Sequence, residues 1–165
     1  MPTVSRIAPC LWFDDQAEAA AQLYVGIFPN SKIGKIAHYG EAGREFHGKP
    51  PGSVMTVAFE LDGLSFTALN GGPIFKFTEA ISFQIKCQTQ EEVDHYWDKL
   101  SAGGDPNAQQ CGWLKDKFGV SWQVVPDILI ELMMDPDAAK SQKATQAMLQ
   151  MKKIEIDKLK RAVAE

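Results

Sequence analysis

The chain lacks any apolar run approaching the roughly 20 residues that a membrane-spanning helix needs, so a helical membrane protein is not expected. It also lacks an excess of positive charge: 17 Lys and Arg stand against 21 Asp and Glu, a net charge of −4. A nucleic-acid partner demands a basic face to neutralise phosphates, and this balance weighs against one. Cysteine is scarce. Cys10, Cys87 and Cys111 are odd in number and show no CxxC spacing, which fits reduced thiols in a cytoplasmic protein better than a disulfide scaffold. The opening residues, MPTVSRIAPCLWF, have no charged-then-apolar leader pattern.

What is present is ordinary for a globular protein: 45 % hydrophobic and 23 % charged residues over 165 positions. That length suits one domain or two small packed modules. Residues 5–13 are apolar and read as a strand. In DDQAEAAAQLYVGIF, Ala17, Ala20, Ala21, Tyr24 and Phe28 fall at helical spacing. Asp15 with Glu18 resembles a capping box, and Pro29-Asn30 stops the helix. Residues 32–39 read as a strand and 40–52 as a polar loop. Residues 53–69 form the clearest hairpin, with Met55, Val57, Phe59 and Leu61 on one face and Asp62-Gly63 as the two-residue turn.

After NGGP (70–73) the order repeats. Residues 81–87 read as a strand. A helix follows, with Thr89 and Glu92 as a capping box and Val93, Tyr96, Trp97 and Leu100 as its apolar stripe. Gly103-Gly104 ends it. Residues 107–114 and 120–125 read as strands on either side of Asp116-Lys117-Phe118-Gly119. The repeat suggests a duplicated unit with a compressed second copy. Beyond Pro126 a helical tail is expected: a short helix over 127–134, a second one with Asp135 as N-cap and Pro136 at its first position, and a last one with the stripe Ile156, Leu159 and Val163. Such a tail is expected to form no core of its own and to dock on the sheet or on a partner subunit.

The stretches LWFDDQAEAAAQLYVGIFPNSKI, CGWLKDKFGVSWQVVP and DPDAAKSQKATQAMLQMKKIEIDKLKRA together resemble the PhnB-like, 3-demethylubiquinone-9 3-methyltransferase-like branch of the glyoxalase/bleomycin-resistance/dioxygenase superfamily. The resemblance implies an α+β fold of two βαβββ modules that curve around a cleft. It places them at 1–73 and 78–126, with the helical tail at 127–165. It also implies a homodimer.

Enzymes of that superfamily hold a divalent metal with four side chains from the first and last strands of each module. Matched onto this chain, those positions fall near Ala8, Phe66, Ser82 and Gln123. None is His, Glu or Asp, so no metal and no cofactor are expected there. A methyltransferase of the usual kind would open with a glycine-rich turn after its first strand. Here FDDQAEAA follows, with no glycine until Gly26.

Candidate chemistry centres on the second module. Cys111 reads either as a nucleophilic thiol, which needs a nearby cation to lower its pKa, or as a small buried hydrophobe beside Trp113. Strand alternation would put Cys111, Trp113 and Lys115 on one face. Gln123 and Ser82 are candidates for orienting a polar ligand group. Trp113, Trp122, Phe66 and Phe118 are candidates to line an apolar cleft, or are core. Trp12 reads as core and Asp116 as a turn residue. His38, Glu45 and His47 would make a metal site only if their loop folded back, and that loop could also act as a lid. Two functions follow as expectations. One is metal-independent binding of a small organic ligand. The other is an enzyme acting on a small aromatic or quinone-like substrate with help from Cys111 or Gln123.

Overall fold

A computed structural model describes residues 5–165; residues 1–4 lie outside it. The chain divides into two compact units, Met1–Lys76 and Phe77–Glu165. Each is an α+β assembly built on one mixed sheet.

In the first unit, β1 (Cys10–Phe13), α1 (Ala17–Ile27), β2 (Lys32–His38), β3 (Val54–Leu61) and β4 (Leu64–Asn70) give a sheet of order β1-β4-β3-β2. β1 runs parallel to β4, and the other neighbours are antiparallel. The Asp62-Gly63 turn has both φ values positive, 48° and 84°, the conformation a two-residue hairpin requires. The predicted alternation holds: Val57, Phe59 and Leu61 are buried. α1 buries Ala17, Ala20, Ala21, Tyr24 and Ile27 against this face. The small alanines let Tyr24 approach Phe59, which stacks on Phe66 at 5.2 Å.

The start of α1 differs from the expectation. Gln16, not Asp15, is the N-cap, and it makes no side-chain cap bond. The orphan amide of Ala17 is instead satisfied from β4, where Asn70 Oδ1 accepts it at 2.8 Å. Asn70 Nδ2 donates to Val54 O at 3.1 Å, and Tyr39 Oη donates to Asn70 O at 2.5 Å. One buried asparagine thus ties helix, hairpin and loop together. After Asn70, Gly71 lies where any Cβ would sit 2.2 Å from the Trp12 ring, so only glycine fits. The polar loop contains one turn of helix, α2 (Arg44–His47).

In the second unit, β5 (Ser82–Cys87), α3 (Gln90–Ser101), β6 (Trp113–Lys115) and β7 (Ser121–Pro126) give a sheet of order β5-β7-β6. β5 is parallel to β7, as β1 is to β4. The compression of this copy takes a definite form. Among the described residues, no strand takes the place of β2. Residues 106–108 form a 3₁₀ turn instead of the expected strand, because Asp105 accepts the Asn107 amide and Pro106 has none to give to a ladder. The Thr89 cap forms, accepting the Glu92 amide at 3.2 Å. Glu92 reaches back to the Gln88 amide rather than to that of Thr89.

The β6–β7 turn is built on Asp116, which is 3 % exposed. Its Oδ1 accepts the amides of Phe118 and Val120, at 2.8 and 3.0 Å, and its Oδ2 accepts Trp122 Nε1 at 2.9 Å. It is a turn residue as expected, and it also locks the largest core side chain of the sheet.

The tail forms α4 (Asp127–Met133), α5 (Ala138–Leu149) and α6 (Ile156–Ala164). Asp137, two residues later than expected, caps α5; Asp135 accepts the Asp137 amide and pairs with Lys140. The expectation that the tail has no core is corrected. Leu129, Leu132, Ala144, Met151, Ile154 and Leu159 form a buried cluster, joined by Val125 of β7. Three short helices packed on one another enclose a core, whereas a single stripe could not. The tail is also tied to α3. Lys153 pairs with Asp94 at 2.8 Å, which holds the Asp94 carboxyl below its usual range and the Lys153 ammonium above its own.

Three outcomes are expected. Asn70→Ala costs about 2–4 kcal/mol in urea denaturation, since it leaves the Ala17 amide and the Val54 carbonyl unpaired. Asp116→Asn is also destabilising, by about 1–3 kcal/mol, because an amide nitrogen at Oδ2 opposes the Trp122 N–H; Asp116→Ala costs more. The Asp94–Lys153 tie has its own pH window. A depressed carboxyl contributes above its unfolded value and is lost as pH falls through the folded one; a raised ammonium is lost only as pH rises through its folded value. The difference in melting temperature between the parent and Asp94→Asn therefore stays constant from about pH 5 to 9 and shrinks in stronger acid.

Candidate functional site

Strand alternation gives the second sheet two unlike faces. Phe83, Ile85, Cys87, Leu114, Trp122 and Val124 point toward α3 and, apart from half-buried Phe83, are buried. The opposite face carries Ser82, Gln84 and Lys86 from β5, Ser121, Gln123 and Val125 from β7, and Trp113 and Lys115 from β6. The register sets their neighbours: Ser82 lies opposite Ser121, Gln84 opposite Gln123, and Trp113 on the other side of Gln123.

A hydrogen-bonded chain runs across this polar face. Gln84 Nε2 donates to Gln123 Oε1 at 3.3 Å, and Gln123 Nε2 donates to Ser82 Oγ at 2.8 Å. The Ser82 hydroxyl, having accepted, has its own proton to donate. Beside it, Ser121 is 2 % exposed and its Oγ has no hydrogen-bond partner. Trp113 is half-buried and flanks the chain of amides. Lys115 pairs with Glu79 at 2.5 Å; the hydrogen bond from Lys115 holds the Glu79 carboxyl below its usual range.

Of the residues singled out in the sequence, the structure therefore brings together Trp113, Gln123 and Ser82. It places Trp122 in the core, its ring tilted against Phe83 at 5.4 Å between ring centres and bonded to Asp116. Phe66 is core under α1, stacked on Phe59. Phe118 is half-buried in the β6–β7 turn, with Lys117 Nζ 5.2 Å from its ring centre.

Cys111 does not share a strand face with Trp113. It sits in a two-residue hairpin turn with Gly112, φ 52° and 83°, closed by reciprocal Gln110–Trp113 backbone bonds of 3.1 and 2.8 Å. Gly112 is required there: a Cβ would lie 2.9 Å from Val124 O. Gln110 Nε2 lies 3.4 Å from Cys111 Sγ. Cys87, fully buried, has its thiol pushed up to about 12 by desolvation first and by Glu92 and Asp127 next. Trp12 is half-buried rather than core. Its indole N–H donates to Gly72 O and its ring meets Phe75 edge-on at 4.9 Å.

The superfamily metal positions can now be read from register. Cys10 pairs with Thr67, so Thr67, one residue after Phe66, shares the face of Cys10 and Trp12. The pair equivalent to Ser82 and Gln123 is thus Ala8 and Thr67. With Ala, Thr, Ser and Gln, the four positions offer no imidazole, carboxylate or thiolate, and they do not fit a divalent transition metal. Among the described residues, no three His, Cys, Asp or Glu side chains converge elsewhere. His38 and Glu45 make no site with His47. The ring of His47 stacks on Tyr39 at 4.5 Å, Nδ1 accepts the Lys49 amide, and Nε2 faces Ala42 O. It staples the loop. Ala8, Gly34, Ala58, Phe66 and Thr67 line a shallow groove of about 180 Å³ on the first sheet.

Sequence reasoning did not single out Gln84 or Ser121. The signal was present: period-two alternation through SFQIKC and SWQVVP groups them with Ser82 and Gln123.

Comparison with known proteins places this arrangement. The sequence model of the family described as 3-demethylubiquinone-9 3-methyltransferase matches residues 5–125. The match ends inside β7, so the helical tail lies beyond it. The PhnB protein from Bacillus cereus is 33 % identical; the alignment covers 74 % of this chain and 99 % of that one, with a TM-score of 0.63. Protein PA1353 from Pseudomonas aeruginosa shares the fold at 17 % identity, covering 74 % of this chain and 97 % of that one, with a TM-score of 0.56. No curated protein matches the chain. The chain belongs to the 3-demethylubiquinone-9 3-methyltransferase family, the PhnB-like branch of the glyoxalase/bleomycin-resistance/dioxygenase superfamily.

Proposed function

We propose that the protein binds a small planar organic molecule on the polar face of its second sheet, without a metal at the superfamily positions. The observation that carries this reading is the row Trp113–Gln123–Ser82 with the unpartnered, buried Ser121 hydroxyl beside it. A buried hydroxyl with no partner costs stability unless something pairs with it. Trp113 offers a flat apolar surface, and Ser82, Ser121 and Gln84 offer donors. The matching ligand carries an acceptor oxygen, a carbonyl or a carboxylate, at one edge of a ring. Lys86 at the margin favours the anion.

Cys111 has no part in this reading as a nucleophile. Its backbone turn removes it from the face, and Lys115, the nearest cation in sequence, is committed to Glu79. The methyl transfer in the family's name is not built into the reading either, since nothing on this face is arranged to hold a methyl donor.

Titration with 2-naphthoate, followed by tryptophan fluorescence, tests the proposal. Binding is expected, weakened about tenfold or more in Trp113→Ala, the loss of one stacked ring and the water it excludes. Ser121→Ala is expected to weaken naphthoate binding while stabilising the free protein, because it removes an unpaired buried group. No binding, or binding indifferent to Trp113 and Ser121, overturns the reading. So does a stoichiometric divalent metal in native mass spectrometry of the purified protein.

A further inference from the structure

The helical tail lies beyond the family match, and about a quarter of the chain has no counterpart in the Bacillus cereus structure. Its contacts with the rest of the second unit converge on one place. Cys111 N donates to Met151 O at 2.8 Å, and Gly112 N donates to Lys152 O at 2.7 Å. A Cβ on Gly112 would come within 3.1 Å of Ile154 Cγ1, so the tail is seated directly on this turn. Two glutamines of the module hold the segment in position. Gln90 of α3 donates to Ile154 O at 3.1 Å and accepts the Ile156 amide at 2.8 Å, which supplies the cap that Glu155 does not give α6. Gln110 donates to Leu149 O at 3.0 Å, at the end of α5.

The turn so held leads directly into β6 and Trp113. Its left-handed residues aim Trp113 along β6, and Gly112 O accepts Val124 N at 2.8 Å, next to Gln123. β6 is three residues long and, among the described residues, has a strand partner only in β7. A strand that short has little register of its own. We propose that segment 149–156 is a built-in clamp that positions Trp113 and Gln123, with Gln90 and Gln110 as the positioning residues that close it. As a statement about ligand binding, the inference rests on the proposed site; as a statement about the turn, it stands apart from it.

The test uses the full chain carrying 5-fluorotryptophan, with Trp113 assigned through Trp113→Phe, together with amide exchange at Cys111 and Gly112. In Gln90→Leu and in Gln110→Leu, exchange at both amides is expected to accelerate about tenfold or more, the loss of one to two net hydrogen bonds. The Trp113 resonance shifts or broadens, while that of Trp12, in the other unit, does not move. Gln110 is on the surface, so its variant carries the test if Gln90→Leu fails to fold. Unchanged exchange in Gln110→Leu overturns the clamp. So does faster exchange with an unmoved Trp113 signal, which would mean that the tail holds the turn but not the site. Naphthoate affinity separates the two ideas. Indifference to Trp113→Ala removes the proposed site and leaves the exchange result standing. A weaker affinity in Gln110→Leu, with Trp113 intact, joins them.

Discussion

In each unit the first strand lies parallel to the last, β1 beside β4 and β5 beside β7. Parallel neighbours cannot be joined by a tight turn, so each pair needs a crossover that carries a helix onto one face of the sheet. Everything else follows from that constraint. Once α1 and α3 cover one face, period-two alternation divides every strand into core residues and residues that face away. The parallel register then decides which of the latter are neighbours. Gln123 donates to Ser82 across β5 and β7 because that register staggers them by two residues.

The same constraint explains what could be read from sequence and what could not. The hairpin at Asp62-Gly63, the Thr89 cap and the stripes of α1 and α3 depend on neighbours a few residues apart, and they were legible. The start of α1 was not, because its cap comes from Asn70, 53 residues downstream. Cys111 was misplaced because Cys-Gly is not a turn dipeptide of the usual kind; the turn is imposed by the tail carbonyls of Met151 and Lys152 and by the close approach of Val124 O. Phe66 borders the groove of the first sheet while its ring is buried on Phe59; the next residue, Thr67, takes the opposite face, because one position in a strand exchanges the two. Trp122 was ambiguous for another reason. Aromatic residues suit both core and cleft, and its burial together with its bond to Asp116 places it in the core.

The tail shows how a shortened module is made whole. The second sheet has three strands where the first has four, so it offers less surface to bury. The tail adds a separate apolar cluster continuous with Val125, and it satisfies turn amides that would otherwise face water. A segment that supplies both core and backbone partners cannot be a loose appendage; its stability and that of the Gln110–Trp113 turn are coupled.

On the proposed reading, neutrality is what makes the site selective. A metal-bearing site holds its ligand through charge and accepts many oxygen donors. A floor of amides and hydroxyls gains only about 0.5–1.5 kcal/mol from each hydrogen bond, so affinity built this way is modest. Discrimination is not modest. A molecule of the same shape without the acceptor oxygen would displace water from Ser82, leave that hydroxyl unpaired and do nothing for Ser121, which is unpaired already. Sites built to hydrogen-bond a group reject the analogue that lacks it far more strongly than apolar pockets reject a missing methylene. Ser121 is already desolvated, so an acceptor placed there gains a bond and displaces no water from the serine. The replacement of charged ligand positions by Ala, Thr, Ser and Gln therefore exchanges strength of binding for a demand on the chemical identity of one edge of the ligand.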